Sequence, residues 1–206
     1  MDKIIILGAG QQGRTCKRLA EENGYKVVAF VDDFTTGTVE CVPIYSDIRD
    51  IPDHRECKFI VAIGNIGPRK RQRFQIDKLN LETVNLIDKE AFIEEGAEIG
   101  TGNFIGKEAI IYSSAKVGND NIINCKAVVA TDAIIGDNCN ISLGCNICGG
   151  VEVGDNCYVG CQASIVSGVK VGNGATVGAG SVVLRDVEDG TFVAGIPVMK
   201  KNRKEQ

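Results

Sequence analysis

Residues 147–183 read ICGGVE VGDNCY VGCQAS IVSGVK VGNGAT VGAGSV V, and every block of six opens on Ile or Val. Followed in both directions, the rule holds at sixteen successive positions: Ile93, Ile99, Ile105, Ile111, Val117, Ile123, Val129, Ile135, Ile141, Ile147, Val153, Val159, Ile165, Val171, Val177 and Val183. A helix repeats at 3.6 residues and a half-buried strand at two, so neither explains a period of six. Six is the repeat of a hexapeptide β-helix, a solenoid of stacked short strands.

The companion positions give the direction of the side chains. Four residues after each large aliphatic stands a small or slim one, as at Ala109, Ala115, Ala127, Ala133, Cys139, Cys145, Cys157, Ala163 and Ala175. That slot lies two residues before the next aliphatic, so the two share one face of a strand and point inward together. Gly100, Gly106, Gly118, Gly136, Gly154, Gly160, Gly172 and Gly178 directly follow the aliphatic, where a tight corner tolerates little side chain. Three hexads close one triangular coil, and a little over five coils at about 4.8 Å each stand on the order of 25 Å tall.

The rest of the composition narrows the function classes. The chain has 206 residues, 23 basic against 27 acidic, and so presents no electrostatic case for nucleic acid. No apolar run reaches the roughly 18–20 residues of a membrane span, and the start Met1-Asp2-Lys3 does not read as a signal peptide, so a soluble cytoplasmic protein is expected. Nine cysteines invite a metal or disulfide reading, and Cys145, Cys148, Cys157 and Cys161 mimic zinc spacing. The hexad register puts Cys139, Cys145 and Cys157 inside the tube but Cys148 and Cys161 at corners, which predicts buried reduced thiols and no metal.

Ahead of the repeats, residues 1–87 read as a Rossmann-like half-domain, with the β-helix domain following over 88–206. Lys3 to Leu7 is an apolar strand running into Gly8-Ala9-Gly10-Gln11-Gln12-Gly13, then a helix from about Arg14 to Asn23 and a strand from Lys26 to Val31 that ends in Asp32-Asp33. Lys58 to Ile63 is a further strand ending at Gly64-Asn65, Pro68 to Leu79 suits a basic helix, and Thr83 to Ile87 a last strand. Amides at such a helix start hold phosphate, and an acid after the second strand holds a sugar hydroxyl. NAD is the default reading of this glycine pattern, whereas half of a dinucleotide fold suits a mononucleotide better. A turn that only packs helix on strand is the third reading. Arg69, Lys70, Arg71 and Arg73 could meet a diphosphate or form a solvated face.

A half-Rossmann unit joined to hexapeptide repeats resembles the sialic acid O-acetyltransferase and bacillosamine N-acetyltransferase family of left-handed β-helix hexapeptide acyltransferases. The likeness runs through Gly8 to Gly13, Phe30-Val31-Asp32-Asp33, Ala62-Ile63-Gly64-Asn65 with Arg69, Asn85-Leu86-Ile87, the repeats, and Ala194-Gly195-Ile196-Pro197. It implies an α/β N-terminal domain followed by an all-β left-handed parallel β-helix. It implies that Gly8, Gly10, Gln11, Gln12, Asp32, Asp33, Gly64, Asn65 and Arg69 hold a nucleotide-linked sugar. Acetyl-CoA would lie in the groove between subunits of a homotrimer, near Asn140, Ser142, Gly149 and Pro197.

One departure bears on mechanism. The family's usual base is a His followed by an acid, and the hexad register puts Thr131 in its place with the acid kept as Asp132. A second family His aligns with Asn140, and the single His of this chain, His54, lies in the first domain. A positioned base is worth about 10² to 10⁴ in rate, which a hydroxyl acceptor needs. An amine of pKa near 8 is already about a tenth neutral at pH 7. The loss therefore favours N-acetylation over O-acetylation; the resemblance implies that Gly149 offers its amide to the developing oxyanion, with Asp132 or water taking the proton and Thr131 orienting the amine.

The outward slots sort by face of the prism. Glu98, Lys116, Ile134, Glu152, Lys170 and Glu188 make a charged face that reads as solvated. Phe92, Ile110, Val128, Asn146, Ser164 and Val182, and then Phe104, Ile122, Asn140, Tyr158 and Thr176, make two faces expected to meet symmetry mates. The basic tail from Met199 to Lys204 is a candidate for the phosphates of CoA. The alternatives are O-acetylation of a sialic-acid-like sugar and a scaffold that binds nucleotide sugar or CoA without turnover. A γ-type carbonic anhydrase needs three histidines and is excluded by the single one.

Overall fold

In a computed structural model, which describes the backbone of residues 1–200 and the side chains of residues 1–198, the chain divides into two compact units. One comprises Met1–Asp88 with Thr101–Asn103, the other Lys89–Gly100 and the chain from Phe104 on. The basic tail, apart from the backbone of Met199 and Lys200, lies outside the described residues.

The first unit is a five-stranded sheet. Its elements are β1 (Lys3–Leu7), α1 (Gln11–Glu22), β2 (Lys26–Val31), β3 (Thr38–Val39), β4 (Val42–Tyr45), β5 (Lys58–Val61) and α2 (Ile66–Lys78). Strand order is β3-β4-β2-β1-β5, parallel except for the β3–β4 hairpin. The chain builds outward from β1 through β2 and then crosses back to β5, so the strand order reverses between β1 and β5. That is where open α/β sheets bind ligands, outside the carboxyl ends of the strands. Ile5, Leu7, Ala29, Val31, Phe59, Val61 and Ile76 form a core buried to 5% exposure or less, each large side chain contributing about 1.5–3 kcal/mol. The hairpin, and the 3-10 turns Ile48–Asp50 and His54–Glu56, were not among the elements expected from the sequence.

The second unit is a column of sixteen two-residue strands from Phe92–Ile93 to Val182–Val183. They stack in parallel ladders on three faces, each strand pairing with the one 18 residues on, as Ile110 with Val128 and Lys116 with Ile134. The first face runs from Phe92–Ile93 to Val182–Val183, and the second from Glu98–Ile99 to Lys170–Val171. The third runs from Phe104–Ile105 through Asn140–Ile141 to Phe192–Gly195, closed by antiparallel Val198–Lys200. From Ile105 to Val183 every hexad aliphatic is 3% exposed or less, and the companion slots are 5% exposed or less. This is the left-handed β-helix of the hexapeptide fold.

Two features of the corners are physical rather than decorative. A Cβ on Gly118 would stand 2.8 Å from the Gly136 carbonyl oxygen, and one on Gly160 would stand 2.6 Å from Ala179 N, so these glycines exist because the next coil lies on them. Two residues further on, the chain takes a left-handed turn every six residues, at Glu108, Ser114, Asp120, Lys126, Asp132 and Asn138 among others. A ladder of carboxylates and amides ties one corner together. Asn119 N–H donates to Asp137 Oδ1 at 2.7 Å, Asp137 N–H to Asp155 Oδ1 at 2.8 Å, and Asp155 N–H to Asn173 Oδ1 at 2.8 Å.

The final coil differs from the expectation. Val187 bridges to Val171 and Phe192 pairs with Thr176, both 16 residues apart, so the last turn is two residues short. Val187 therefore occupies a large-aliphatic place rather than a small slot, and Asp186, not Glu188, follows Lys170 by accepting its N–H at 2.8 Å. All nine cysteines are free, and no metal-binding cluster exists among the described residues. The thiols of Cys139, Cys145 and Cys157 each donate to a corner carbonyl of the coil above at 3.0 Å.

Candidate active site

The glycine turn after β1 is held by close approach. A Cβ on Gly8, whose φ is +108°, would meet Ala62 O at 2.6 Å, and one on Gly13 would overlap the Gly8 carbonyl. The loops after β1 and β5 thus touch, with Gly8 against Ala62 and Ile63, the residues that lead into Gly64 and Asn65. Gly10 opens α1 with φ −74°, has empty space where a side chain would stand, and supplies no side-chain cap. The first amides of α1 thus have no side-chain cap, the condition under which a helix start can hold an anion. Gln11 is exposed, and half-buried Gln12 reaches the Cys16 sulfur at 3.7 Å.

The acidic pair divides its work. Asp32 Oδ2 accepts the Ala9 N–H at 2.8 Å, while Oδ1 accepts the N–H groups of Phe34 at 3.0 Å and Thr35 at 2.9 Å. Burial pushes this carboxyl up, but those backbone bonds outweigh it and hold the pKa below the usual range. Asp32 is thus a tie between the β2 end and the glycine turn. Asp33 is exposed and, among the described residues, accepts only from Gln72 Nε2 at 3.2 Å.

Arg69 departs most from its sequence reading. It is fully buried, and its Nη1 donates to Ile63 O at 2.9 Å and Gly64 O at 3.1 Å. A guanidinium spent on loop carbonyls shapes the Gly64-Asn65 loop from beneath instead of meeting a diphosphate at the surface. Asn65 caps α2 through Gly67 N–H at 3.2 Å, and Arg73 pairs with Asp77 at 2.9 Å. His54 Nδ1 sits 3.0 Å from Ile51 O in its 3-10 turn.

In the β-helix unit, Thr131 and Asp132 are exposed at the corner between the first and second faces, Asp132 with φ +61°. Gly149 lies one coil further along the same corner. Gly150 N–H donates to Thr131 O at 3.1 Å, and Gly168 N–H donates to Gly149 O at 3.1 Å. The Gly149 N–H itself has no acceptor among the described residues. Asn140 and Ser142 are both buried, with the Ser142 hydroxyl 3.4 Å from Asn140 Oδ1. They belong to the third face, opposite the Thr131–Asp132 corner. The exposed Pro197, after a cis peptide, lies in the hairpin that closes that same face. One chain therefore collects two groups, Thr131 with Asp132 and Gly149, and Asn140 with Ser142, on opposite sides of the prism.

Comparison with known proteins matches residues 3–75 to the PglD N-terminal domain and residues 150–185 to the bacterial transferase hexapeptide, six repeats. The chain thus joins a PglD-type N-terminal domain to hexapeptide transferase repeats. Among solved structures this acyltransferase chain superposes on a histidine-to-asparagine variant of perosamine N-acetyltransferase from Caulobacter crescentus in complex with CoA and GDP-perosamine. There the TM-score is 0.93 and the identity 29%, over 98% of each chain. The acetyltransferase domain of PglB from Neisseria gonorrhoeae FA1090 gives 0.91 and 28%, over 98% of this chain and all of that one. WeeI from Acinetobacter baumannii AYE gives 0.90 and 25%, over 98% of this chain. No helix among the described residues is long and apolar enough to cross a membrane.

Proposed function

We propose that the chain transfers the acetyl group of acetyl-CoA to the amine of a nucleotide-linked amino sugar, in the cytoplasm and without a histidine base. Acyl transfer is supported by the two matched domains and by solved neighbours that hold CoA and acetyl-CoA. The observation that supports the amine reading is the corner itself: Thr131 and Asp132 lie one coil before Gly149, whose N–H has no acceptor among the described residues, and residues 89–206 contain no histidine to serve as a base. The neutral amine attacks the thioester carbonyl carbon, the C–S bond breaks, and CoA leaves as the thiol. The Gly149 N–H faces the oxygen on which charge develops. Asp132 takes the surplus ammonium proton directly or through water, and Thr131 orients the amine.

The opposition of the two groups across one prism supports a homotrimer. Asn140, Ser142 and Pro197 of one copy complete the site with the Asp132 corner of the next, and the CoA arm lies in the seam. Phe92, 54% exposed, and Tyr158, 38% exposed, offer apolar area for such contacts. Phe104 and Ile122, read from the sequence as interface residues, are already buried within the chain at 5% and 2%. Gly8, Gly10, Gln11, Gln12, Asp33, Gly64 and Asn65 hold the nucleotide, with Asp32 and Arg69 shaping the loops.

Asp132→Ala tests the proton step. The expected result is a fall of about tenfold to a hundredfold in turnover near pH 7, with the deficit shrinking as pH rises and the amine deprotonates by itself. An unchanged rate and pH profile would reject the role of Asp132. A chain that binds nucleotide sugar and CoA yet releases no thiol would instead establish the scaffold reading, which the missing histidine keeps in play.

A further inference from the structure

Within the first unit, a cavity of about 530 Å³ opens beyond the ends of β2 and β4 and runs along α2. Its size falls in the roughly 300–1,000 Å³ range of small-molecule sites. Phe34, Asp33, Ser46, Arg71, Gln72 and Gln75 line it. We propose that this cavity receives the base of the nucleotide sugar and that it selects guanine over uracil and thymine. The inference rests on the nucleotide-sugar reading above and adds to it the identity of the base.

Three observations carry it. Phe34 is 91% exposed at the cavity, an apolar ring left in water for which the described residues of the chain supply no cover. A flat base is the partner that such a ring stacks on without regard to sequence. Asp33 is the carboxylate with capacity to spare, since its neighbour Asp32 already accepts three backbone N–H groups, whereas Asp33 accepts one side-chain bond. Arg71 has no hydrogen bond or ion pair among the described residues, unlike Arg49, which is occupied by Asp47.

The base chemistry follows from the donors and acceptors. Guanine presents N1–H and the N2 amino group side by side with the O6 acceptor beyond them, a pattern that a carboxylate and a guanidinium read together. Uracil and thymine present one N–H between two carbonyl oxygens. Facing Asp33, at least one carbonyl would set its lone pairs against the carboxylate, with no hydrogen to mediate. A polar site that rejects an ill-matched edge discriminates strongly, because its own groups are left unpaired.

Titration calorimetry of the full chain with GDP, UDP and TDP tests this, alongside CoA as an independent ligand. GDP is expected to bind at least tenfold more tightly than UDP or TDP. Asp33→Asn is expected to weaken GDP by about tenfold to a hundredfold, the loss of charge-assisted bonds, and to narrow the GDP-to-UDP ratio. Phe34→Ala is expected to weaken all three nucleotides alike. UDP or TDP binding as tightly as GDP, or an Asp33→Asn variant that keeps the ratio, would overturn the base assignment and leave the transferase reading standing. Normal CoA binding with no affinity for any nucleotide would overturn both.

Discussion

Asp32 shows how one side chain can tie a loop together through backbone partners alone. Its carboxylate joins the end of β2 to the glycine turn through Ala9, Phe34 and Thr35. Its folded pKa lies below the ordinary 3.8. The stability it contributes is thus fully present above that ordinary value and is lost as pH falls through the lower folded one. Asp32→Asn is expected to cost about 1–3 kcal/mol at pH 7 and to flatten the acid limb of a thermal-unfolding profile between pH 5 and pH 2; an unaltered acid limb would contradict the tie. The sequence displayed Asp32 and Asp33 as equals, because both are acids after a strand. Only the three backbone partners separate the brace from the group left open to a ligand. Arg69 teaches the same lesson, since a basic residue beside a loop looks identical in sequence whether it points out or, as here, underneath.

At the scale of the elements, the β-helix was legible almost to the residue because each coil repeats one physical demand, a large aliphatic and a small companion inward. The corner glycines add a second demand, close stacking, which their backbone angles do not reveal. Gly136 tests it, since a Cβ there would stand 2.9 Å from Asp155 N and closer still to its carboxylate. Gly136→Ala is expected to destabilise the folded chain by about 1–3 kcal/mol, whereas Gly10→Ala, with open space around it, should leave stability within about 0.5 kcal/mol; equal denaturation midpoints for the two variants would refute the stacking argument. The less repetitive parts were less legible. The β3–β4 hairpin turns through Glu40 and Cys41 in left-handed conformations without a glycine or asparagine to announce it. The shortened last coil was hidden because Val187 suits either slot.

For the whole molecule, one chain carries the Asp132–Gly149 corner and the Asn140–Ser142 pair on opposite sides of a solid, side-chain-filled prism, so the proposed function, in which both groups serve one site, calls for more than one copy. Equilibrium sedimentation is expected to give three times the mass of the chain, and Tyr158→Glu, placed on an open apolar spot, to shift that mass downward together with turnover. A fully active monomer would contradict the shared site. The most direct measurement is thiol release from acetyl-CoA with GDP-, UDP- and TDP-linked amino sugars, with the product linkage read by NMR. An amide on the sugar nitrogen, formed at the same rate as free CoA, is the predicted result. An ester on a sugar hydroxyl, or no thiol with any acceptor, would contradict it.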